Sequence, residues 1–243
     1  MALLKLVLTA ALAGICAAGD AQAYDRVASL GESPFASAFD DTGNHGTMVD
    51  LIGALDRVTQ SSTEIVLRPF ARSLQETAEG HADFHLPFIQ ADDVPAPEGL
   101  AYVMDVDFGP VAFVIYSRKQ AAFDAQTVAK ASSIDVEPGH ERFFPFPVEV
   151  THCVRCSLDS LLEARTDALI LSDDVVDPLL ADAKYKEIHR ALYKFFPVRA
   201  LVPANADSSA TRRYLIEGVR RLKATGEFAR ITGNNRKYSD WQP

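Results

Sequence analysis

The chain carries one short pattern twice, and this duplication limits the folds that it can adopt. Each copy consists of an amphipathic stretch, a break, an aspartate and an apolar run. The first copy extends from Pro69 to Pro87 and contains Asp83, and the second extends from Ser157 to Asp173 and contains Asp167. A helix that leads into a strand in each half of a chain is typical of an α/β protein. The duplication therefore predicts two similar lobes with a cleft between them.

Hydrophobic periodicity places the other elements. The apolar residues Met48, Leu51, Ile52 and Leu55 have the spacing of a helix with one buried face, which predicts a helix at 46–60. A closing helix is expected at 208–224, followed by Gly226 as its terminator. Strands are expected at 24–30, 64–67, 84–86, 111–117, 134–136, 148–150 and 168–171, with an extended passage at 194–202. The alternation of strands and helices predicts parallel pairing through crossover helices.

The N-terminal 23 residues have the features of a secretory signal peptide. Lys5 precedes an apolar run, and Ala21 and Ala23 form a small-x-small cleavage site, which leaves Tyr24 as the first mature residue. The apolar run is shorter than the roughly 20 residues that a spanning helix needs. Ile15 before Cys16 argues against a lipid anchor on that cysteine. We therefore expect a periplasmic protein that is not inserted in the membrane after cleavage.

The composition excludes some classes of partner. With 48% hydrophobic and 23% charged residues, the chain has an ordinary globular composition, and its length suits two lobes of about 100 residues each. The net charge of −9 predicts repulsion from nucleic acid and from anionic membrane surfaces. The basic residues between Arg212 and Lys223 are interpreted as the solvated face of a helix.

Cys153 and Cys156 are the remaining cysteines after signal cleavage, in the sequence His152-Cys153-Val154-Arg155-Cys156. In an oxidising compartment the simplest interpretation is a local disulfide, which would add only about 2 kcal/mol of stability. The same spacing also suits thiol exchange, since Arg155 would favour a thiolate. A metal site with His152 stays open but lacks further ligands, and Ser157 stands where haem attachment needs a histidine.

Sequence motifs for catalysis are lacking. The chain contains no Gly-x-Ser-x-Gly, no phosphate-binding glycine-rich loop and no His-Glu-x-x-His. Adjacent carboxylates such as Asp173 and Asp174 are interpreted as helix-start residues rather than an acid/base pair. We expect no enzyme activity, no cofactor and no resident metal, with a dehydratase-like enzyme as a distant alternative.

Several motifs together resemble solute-binding protein family 3, the type II periplasmic binding proteins of ABC importers. The residues that carry the resemblance are Ser33-Pro34-Phe35, the polar turn 40–46, Asp50-Leu51, Phe70, Leu74, Gly80, Asp83, Gly226 and Glu227. The resemblance covers nearly the whole mature chain. It implies an α/β fold of two lobes, each a mixed, mostly parallel sheet flanked by helices, joined by two hinge crossings.

The resemblance also implies a division of the chain and a function. Lobe 1 would comprise 24–110 plus 200–243 and lobe 2 would comprise 111–199, with hinges near 109–112 and 197–200. The protein would be a monomer that captures a small polar solute, amino-acid-like or an organic anion, by hinge closure and presents it to the membrane permease of an ABC importer. The alternative is a periplasmic sensory or redox-linked module that has the same fold but is not coupled to transport.

The resemblance places the solute between the lobes. The residues expected to contact it are Phe35, Phe70, Arg72, Phe88, Gln90, Tyr116, His140, Ser172 and Asp173. The family's carboxylate-binding arginine has no counterpart in the stretch 90–95, so these positions do not name the solute. Other interpretations stay open: the aromatic residues could be core, Arg72 an exposed helix charge and His140 a structural histidine.

Overall fold

The computed structural model describes residues 24–33, 37–91, 93–233 and 238–243, and the predicted signal peptide and Phe35 lie outside these residues. The strands of the described part are β1 (Arg26–Gly31), β2 (Ala38–Asp40), β3 (Gly43–His45), β4 (Thr63–Arg68), β5 (Phe84–Ile89), β6 (Leu100–Tyr102), β7 (Pro110–Arg118), β8 (Ile134–Val136), β9 (Glu149–Val150), β10 (Ala168–Ser172) and β11 (Ile188–Pro203). The α-helices are α1 (Thr47–Thr59), α2 (Phe70–Ala78), α3 (Val154–Leu162), α4 (Asp173–Val176), α5 (Ser209–Ala224) and α6 (Glu227–Thr232).

The main strands lie in the order β4-β1-β5-β11-β7-β10-β8-β9, and β6 pairs with β11. We call lobe 1 the strands β1, β4, β5 and β6 with the helices α1, α2, α5 and α6. We call lobe 2 the strands β8, β9 and β10 with the helices α3 and α4. The expected parallel pairing is confirmed within each lobe, between β1 and both β4 and β5 and between β8 and both β9 and β10. β7 and β11 pair antiparallel, because the chain enters lobe 2 through β7 and leaves it through β11.

β11 belongs to both lobes. Its first part pairs with β7, from Ile188 opposite Arg118 to Pro197 opposite Pro110. Its last part pairs with β5 and β6 of lobe 1, from Val198 opposite Ile89 to Pro203 opposite Leu100. The two crossings between the lobes therefore run side by side where β7 begins and β11 changes its partner. This arrangement is the two-lobed α/β fold that the sequence predicts.

The duplicated aspartates have the same role in the two lobes. Asp83 accepts a hydrogen bond from the backbone N–H of Val27 at 2.7 Å, and its own N–H donates to the Val27 carbonyl at 2.8 Å. Asp167 accepts from the N–H of Ser132 at 2.8 Å, and its N–H donates to the Ser133 carbonyl at 3.3 Å. Each aspartate thus joins the beginning of one strand to the beginning of its parallel neighbour.

Three groups of buried apolar side chains make up the core. In lobe 1, Leu51 and Leu55 of α1 pack with Leu215 and Leu222 of α5 over the sheet. In lobe 2, α3 packs on β7 and β10 through side chains such as Leu158. The third group is continuous across both lobes and includes Phe88, Ile89, Phe113, Ile134, Phe143, Ile170 and Phe196. The boundary between the lobes is therefore part of the hydrophobic core.

Candidate functional site

Parallel strands of both lobes end at the boundary between the lobes. In lobe 1, β4 ends at Arg68, and α2 begins at Phe70. In lobe 2, β8 ends at Val136 and leads into a loop with Gly139 and His140. These segments touch, since a Cβ atom added to Gly139 would lie 3.0 Å from Cε1 of Phe70. Ligands of open α/β sheets bind beyond the carboxyl ends of the strands, so this boundary is the candidate site.

Aromatic rings from both lobes fill this boundary. We call them the junction cluster, which consists of Phe70, His85, Phe88, Phe113, His140 and Phe143. Phe70 stacks on Phe88 with a centroid distance of 6.0 Å and meets His85 edge-on at 5.2 Å. Across the boundary, the rings of Phe70 and His140 are 4.9 Å apart, and those of Phe88 and Phe143 are 5.7 Å apart. Aromatic pairs at these distances attract each other beyond the effect of their buried area, so the rings hold the lobes together.

His85 is fully buried, and two hydrogen-bond partners fix its ring. Nε2 lies 3.1 Å from the Pro87 carbonyl oxygen, which can only accept, so this nitrogen carries the proton. Nδ1 then accepts from the Ser73 hydroxyl at 2.6 Å. Burial lowers the pKa of His85 to about 3, against the opposing effect of the Pro87 carbonyl. His85 is therefore a neutral, rigid part of the junction cluster.

His140 is also buried, and its Nδ1 has no hydrogen-bond partner in the described part of the chain. Oε2 of Glu137 lies 3.7 Å from this nitrogen, beyond hydrogen-bonding distance. Burial lowers the pKa of His140 to about 4. Burial, together with the charge of Asp174, raises the pKa of Glu137 to about 7. Near neutral pH, His140 is therefore a neutral ring that can exchange a hydrogen bond with a polar group entering the boundary.

Acidic side chains gather where β8 and β10 end. Asp173 is the first residue of α4, and its pKa is raised to about 6, mainly by burial and further by the charges of Asp174 and Asp177, while Arg190 opposes the rise. Asp174 also raises the pKa of Glu137, so the acids of the two loops act on each other. This side of the boundary favours a hydrogen-bond donor or a cation over an anion.

A buried ion pair holds Asp177, which directly follows α4. Arg190, whose side chain is 1% exposed, donates to Asp177 through Nε at 2.8 Å and through Nη2 at 2.6 Å. The hydroxyl of Tyr116 donates to the same carboxylate at 2.8 Å. Burial and the charge of Asp177 raise the pKa of Tyr116 well above its usual range. Tyr116 therefore stays protonated and orients Asp177.

The structure brings together several of the solute-binding residues predicted from the sequence. Phe70, Phe88 and His140 meet in the junction cluster. Ser172 is the last residue of β10, and Asp173 is the first residue of α4. The first three residues are in mutual contact, and Ser172 and Asp173 come at the end of the strand that pairs with β8.

Three other predicted residues are engaged in contacts within the protein. Gln90 follows β5 and accepts a hydrogen bond from Nε of Arg199 at 2.9 Å. Arg72 is half exposed on α2 and forms an ion pair with Glu76 at 2.8 Å. Tyr116 is engaged by Asp177, as described above, and Phe35 lies outside the described residues.

Four residues of the boundary were not singled out from the sequence: His85, Phe113, Glu137 and Phe143. His85 is a polar residue inside the apolar strand β5, and this interruption was a usable signal. Glu137 directly follows a buried strand, and a charged residue at that position was a second usable signal. Phe113 and Phe143 have no local signal, because ordinary core phenylalanines look the same in sequence.

The structure resembles solved two-lobed binding proteins, although no protein-family model and no curated protein matches the chain in sequence. The ligand-binding core of GluR0 in complex with L-glutamate aligns with a TM-score of 0.71 and 12% identity, over 87% of this chain and 98% of that one. A mutant of ArgBP from T. maritima aligns with a TM-score of 0.67 and 14% identity, over 85% and 92% of the two chains.

A third similar structure is a histidine kinase sensor domain with similarity to periplasmic binding proteins, with a TM-score of 0.67 and 15% identity, over 86% of this chain and 94% of that one. At such low identities the likeness concerns the fold. The chain has the two-lobed fold of type II periplasmic binding proteins, as the motifs in its sequence predict.

None of the helices in the described residues combines the length and the apolar character that crossing a bilayer requires. Among the described residues, histidines, cysteines and carboxylates do not gather in threes at a point where a metal ion could bind. The sulfurs of Cys153 and Cys156 are joined in a disulfide.

Proposed function

We propose that this protein is a periplasmic solute-binding protein that captures a small solute between its lobes and presents it to the permease of an ABC importer. The observation that carries the proposal is the contact of the loop after β8 with the start of α2, where Gly139 and His140 of lobe 2 meet Phe70 of lobe 1. A solute that entered there would contact both lobes. Contacts from both lobes favour the closed form, which a permease can distinguish from the open form.

The chemistry of the boundary narrows the class of solute. Aromatic rings favour a planar or apolar body. The acids Glu137 and Asp173 and the neutral ring of His140 favour an amine or another hydrogen-bond donor at one end of it. Arg199, the arginine beside Gln90, is already bonded to Gln90 and to the carbonyl of Val106. Of the two classes expected from the sequence, an amino-acid-like solute with an amine therefore fits better than an organic anion.

Thermal melting in the presence of solutes tests this function. The panel contains aromatic and aliphatic amines, amino acids and dicarboxylates. A true ligand at 100 times its dissociation constant adds about 2.7 kcal/mol to the free energy of unfolding and raises the melting temperature. We expect such a shift with an amine and its loss in His140→Ala. His81→Ala is the matched control, because His81 is an exposed histidine that pairs with Glu79.

The proposal fails if no solute shifts the melt, or if a shift persists unchanged in His140→Ala. Transport is tested separately, by uptake of the labelled ligand into cells that lack the protein. We expect uptake to fall in these cells and to recover when the protein is restored. Binding without any effect on uptake would favour the sensory alternative, which the similarity to a histidine kinase sensor domain supports.

A further inference from the structure

The disulfide between Cys153 and Cys156 is accessible at the start of α3. Both cysteines are exposed, and of the two residues between them Arg155 is exposed as well. The bridge follows β9, which is the edge strand of the sheet and runs parallel to β8. The bridge therefore lies beyond the carboxyl end of β9, on the same side of lobe 2 as the loop of His140 that follows β8. Because both cysteines are exposed, a second molecule can reach the bridge.

The fold around the bridge is held by contacts that do not involve sulfur. The buried Ser157 places Oγ 2.5 Å from Oδ2 of Asp135 and 2.9 Å from Oγ1 of Thr151. The N–H of Ser157 donates to the Cys153 carbonyl at 3.0 Å, and the N–H of Thr151 donates to the Val136 carbonyl at 2.8 Å. The bridge itself joins residues three positions apart and links no two elements. Opening the bridge would therefore leave the start of α3 in place.

The surroundings of Cys153 suit a thiolate. Its sulfur accepts a hydrogen bond from the N–H of Cys156 at 3.2 Å, and Cys153 caps the N-terminus of α3, where the helix dipole favours negative charge. His152 precedes the pair and Arg155 lies within it, and the charge of the nearby Asp159 is paired with Lys184. A helix N-terminus and a neighbouring arginine favour a thiolate over a thiol, and a stabilised thiolate is a better leaving group in disulfide exchange.

We propose that the Cys153–Cys156 bridge is a thiol–disulfide exchange site that oxidises a dithiol of a partner polypeptide. A partner thiolate attacks Sγ of Cys153, the bridge breaks, and Cys156 leaves as a thiolate. The partner's second thiol loses its proton and attacks the partner sulfur of the mixed disulfide, and Cys153 leaves as a thiolate. Two electrons pass to the cysteine pair, the partner gains a disulfide, and the protons of its thiols pass to the pair or to solvent.

Exchange is tested on the oxidised full chain with a reduced peptide that contains two cysteines. We expect one equivalent of peptide disulfide per bridge, formed about tenfold or more faster than with glutathione disulfide at equal concentration. Alkylation and peptide mapping assign the new thiols to Cys153 and Cys156, separately from Cys16. The melting curve of the reduced protein should stay cooperative. The proposal is overturned if the bridge does not react with excess dithiol, or if its reduction unfolds the chain.

Single-cysteine variants test which sulfur is activated. Cys156→Ser leaves the thiol of Cys153, and Cys153→Ser leaves that of Cys156. At pH 6 we expect Cys153 to react with iodoacetamide about tenfold faster than Cys156, because the thiolate is the reactive form and the helix N-terminus favours it at Cys153. Equal rates, both typical of an unactivated thiol, would refute the assignment. Neither experiment depends on a solute, so this proposal and the proposed function can fail separately.

Discussion

Burial moves the pKa values of Glu137 and His140 in opposite directions. The carboxyl of Glu137 keeps its proton in the folded protein up to a pH of about 7, whereas its ordinary value is 4.5. The folded protein therefore binds a proton that the unfolded chain releases, and the free energy of unfolding falls as the pH rises from about 4.5 to about 7. His140, with its pKa lowered from 6.5 to about 4, has the opposite effect, because only the unfolded chain becomes protonated between these values.

Replacing Glu137 with glutamine should remove the effect of Glu137 on the pH dependence of stability and leave that of His140. We expect the stability of Glu137→Gln relative to the wild type to increase by about 2 kcal/mol from pH 5 to pH 7. Urea unfolding at the two pH values measures the difference. Glu141→Gln is the matched control, because Glu141 belongs to the same loop and is exposed. An equal pH dependence in the wild type and in Glu137→Gln would show that Glu137 titrates normally.

The partners of buried side chains are not encoded in the local sequence. Phe70, Phe88 and His140 could be proposed from their positions in the motifs, and the structure places them together. Their contacts with Phe113 and Phe143 depend on side chains far apart in the sequence, and no local pattern records such pairs. Periodicity reports which face of an element is buried but not which partner covers it.

At the scale of elements, the duplicated helix, aspartate and strand were readable because their cause is local. The aspartate follows the helix and receives the N–H at the beginning of the neighbouring strand in both lobes, from Val27 at Asp83 and from Ser132 at Asp167. The predicted bounds of most of these strands and helices also lie close to the observed ones, because apolar spacing and glycines mark where the elements begin and end. β11 was predicted too short, because its first part is only half buried and lacks a continuous apolar run.

The segment after α6 is an element without a local sequence signal. Its residues Tyr238 to Pro243 lie against β11. Gln242 accepts from the Arg190 N–H at 2.9 Å and donates to the Arg190 carbonyl at 2.8 Å. The Arg190 guanidinium donates to the Trp241 carbonyl at 2.8 Å and lies 4.6 Å from the Trp241 ring centre. Because α6 packs on lobe 1 through Phe228, this segment connects the end of lobe 1 to a strand next to lobe 2.

Deleting residues 238–243 should weaken the part of the molecule around β11. Hydrogen bonds to a charged group contribute about 1.5–3 kcal/mol each, so we expect a loss of about 3 kcal/mol in the free energy of unfolding. Hydrogen exchange should rise in β7 and in the first part of β11 and stay unchanged in α1 and α5. Arg230→Ala is the control, since Arg230 is exposed on α6. Unchanged protection of β11 would mean that the segment is not held there in solution.

At the scale of the whole molecule, one hydrophobic group crosses the boundary between the lobes. It contains Phe88 of lobe 1 together with Phe113 and Phe143, so separating the lobes exposes aromatic surface to water. Each buried aromatic side chain contributes about 1.5–3 kcal/mol relative to its exposed state. The contact of the lobes is thus favourable by itself, and an entering solute has to replace ring contacts with contacts of similar strength. This requirement is a physical reason for an apolar body in the solute.

Gly139 allows the close approach of the lobes, and its substitution tests how they are held. It has a φ of 88°, and an added Cβ would lie 3.0 Å and 3.2 Å from two ring atoms of Phe70. Gly80 is the matched control, with a φ of 78° and nothing within 4 Å of an added Cβ. Both alanine variants should lose about 1–2 kcal/mol from the left-handed backbone. Only Gly139→Ala should displace Phe70, increase the radius of gyration in X-ray scattering and raise hydrogen exchange around His140. If the two variants give the same radius and the same exchange, the boundary is not held by the contact between Gly139 and Phe70.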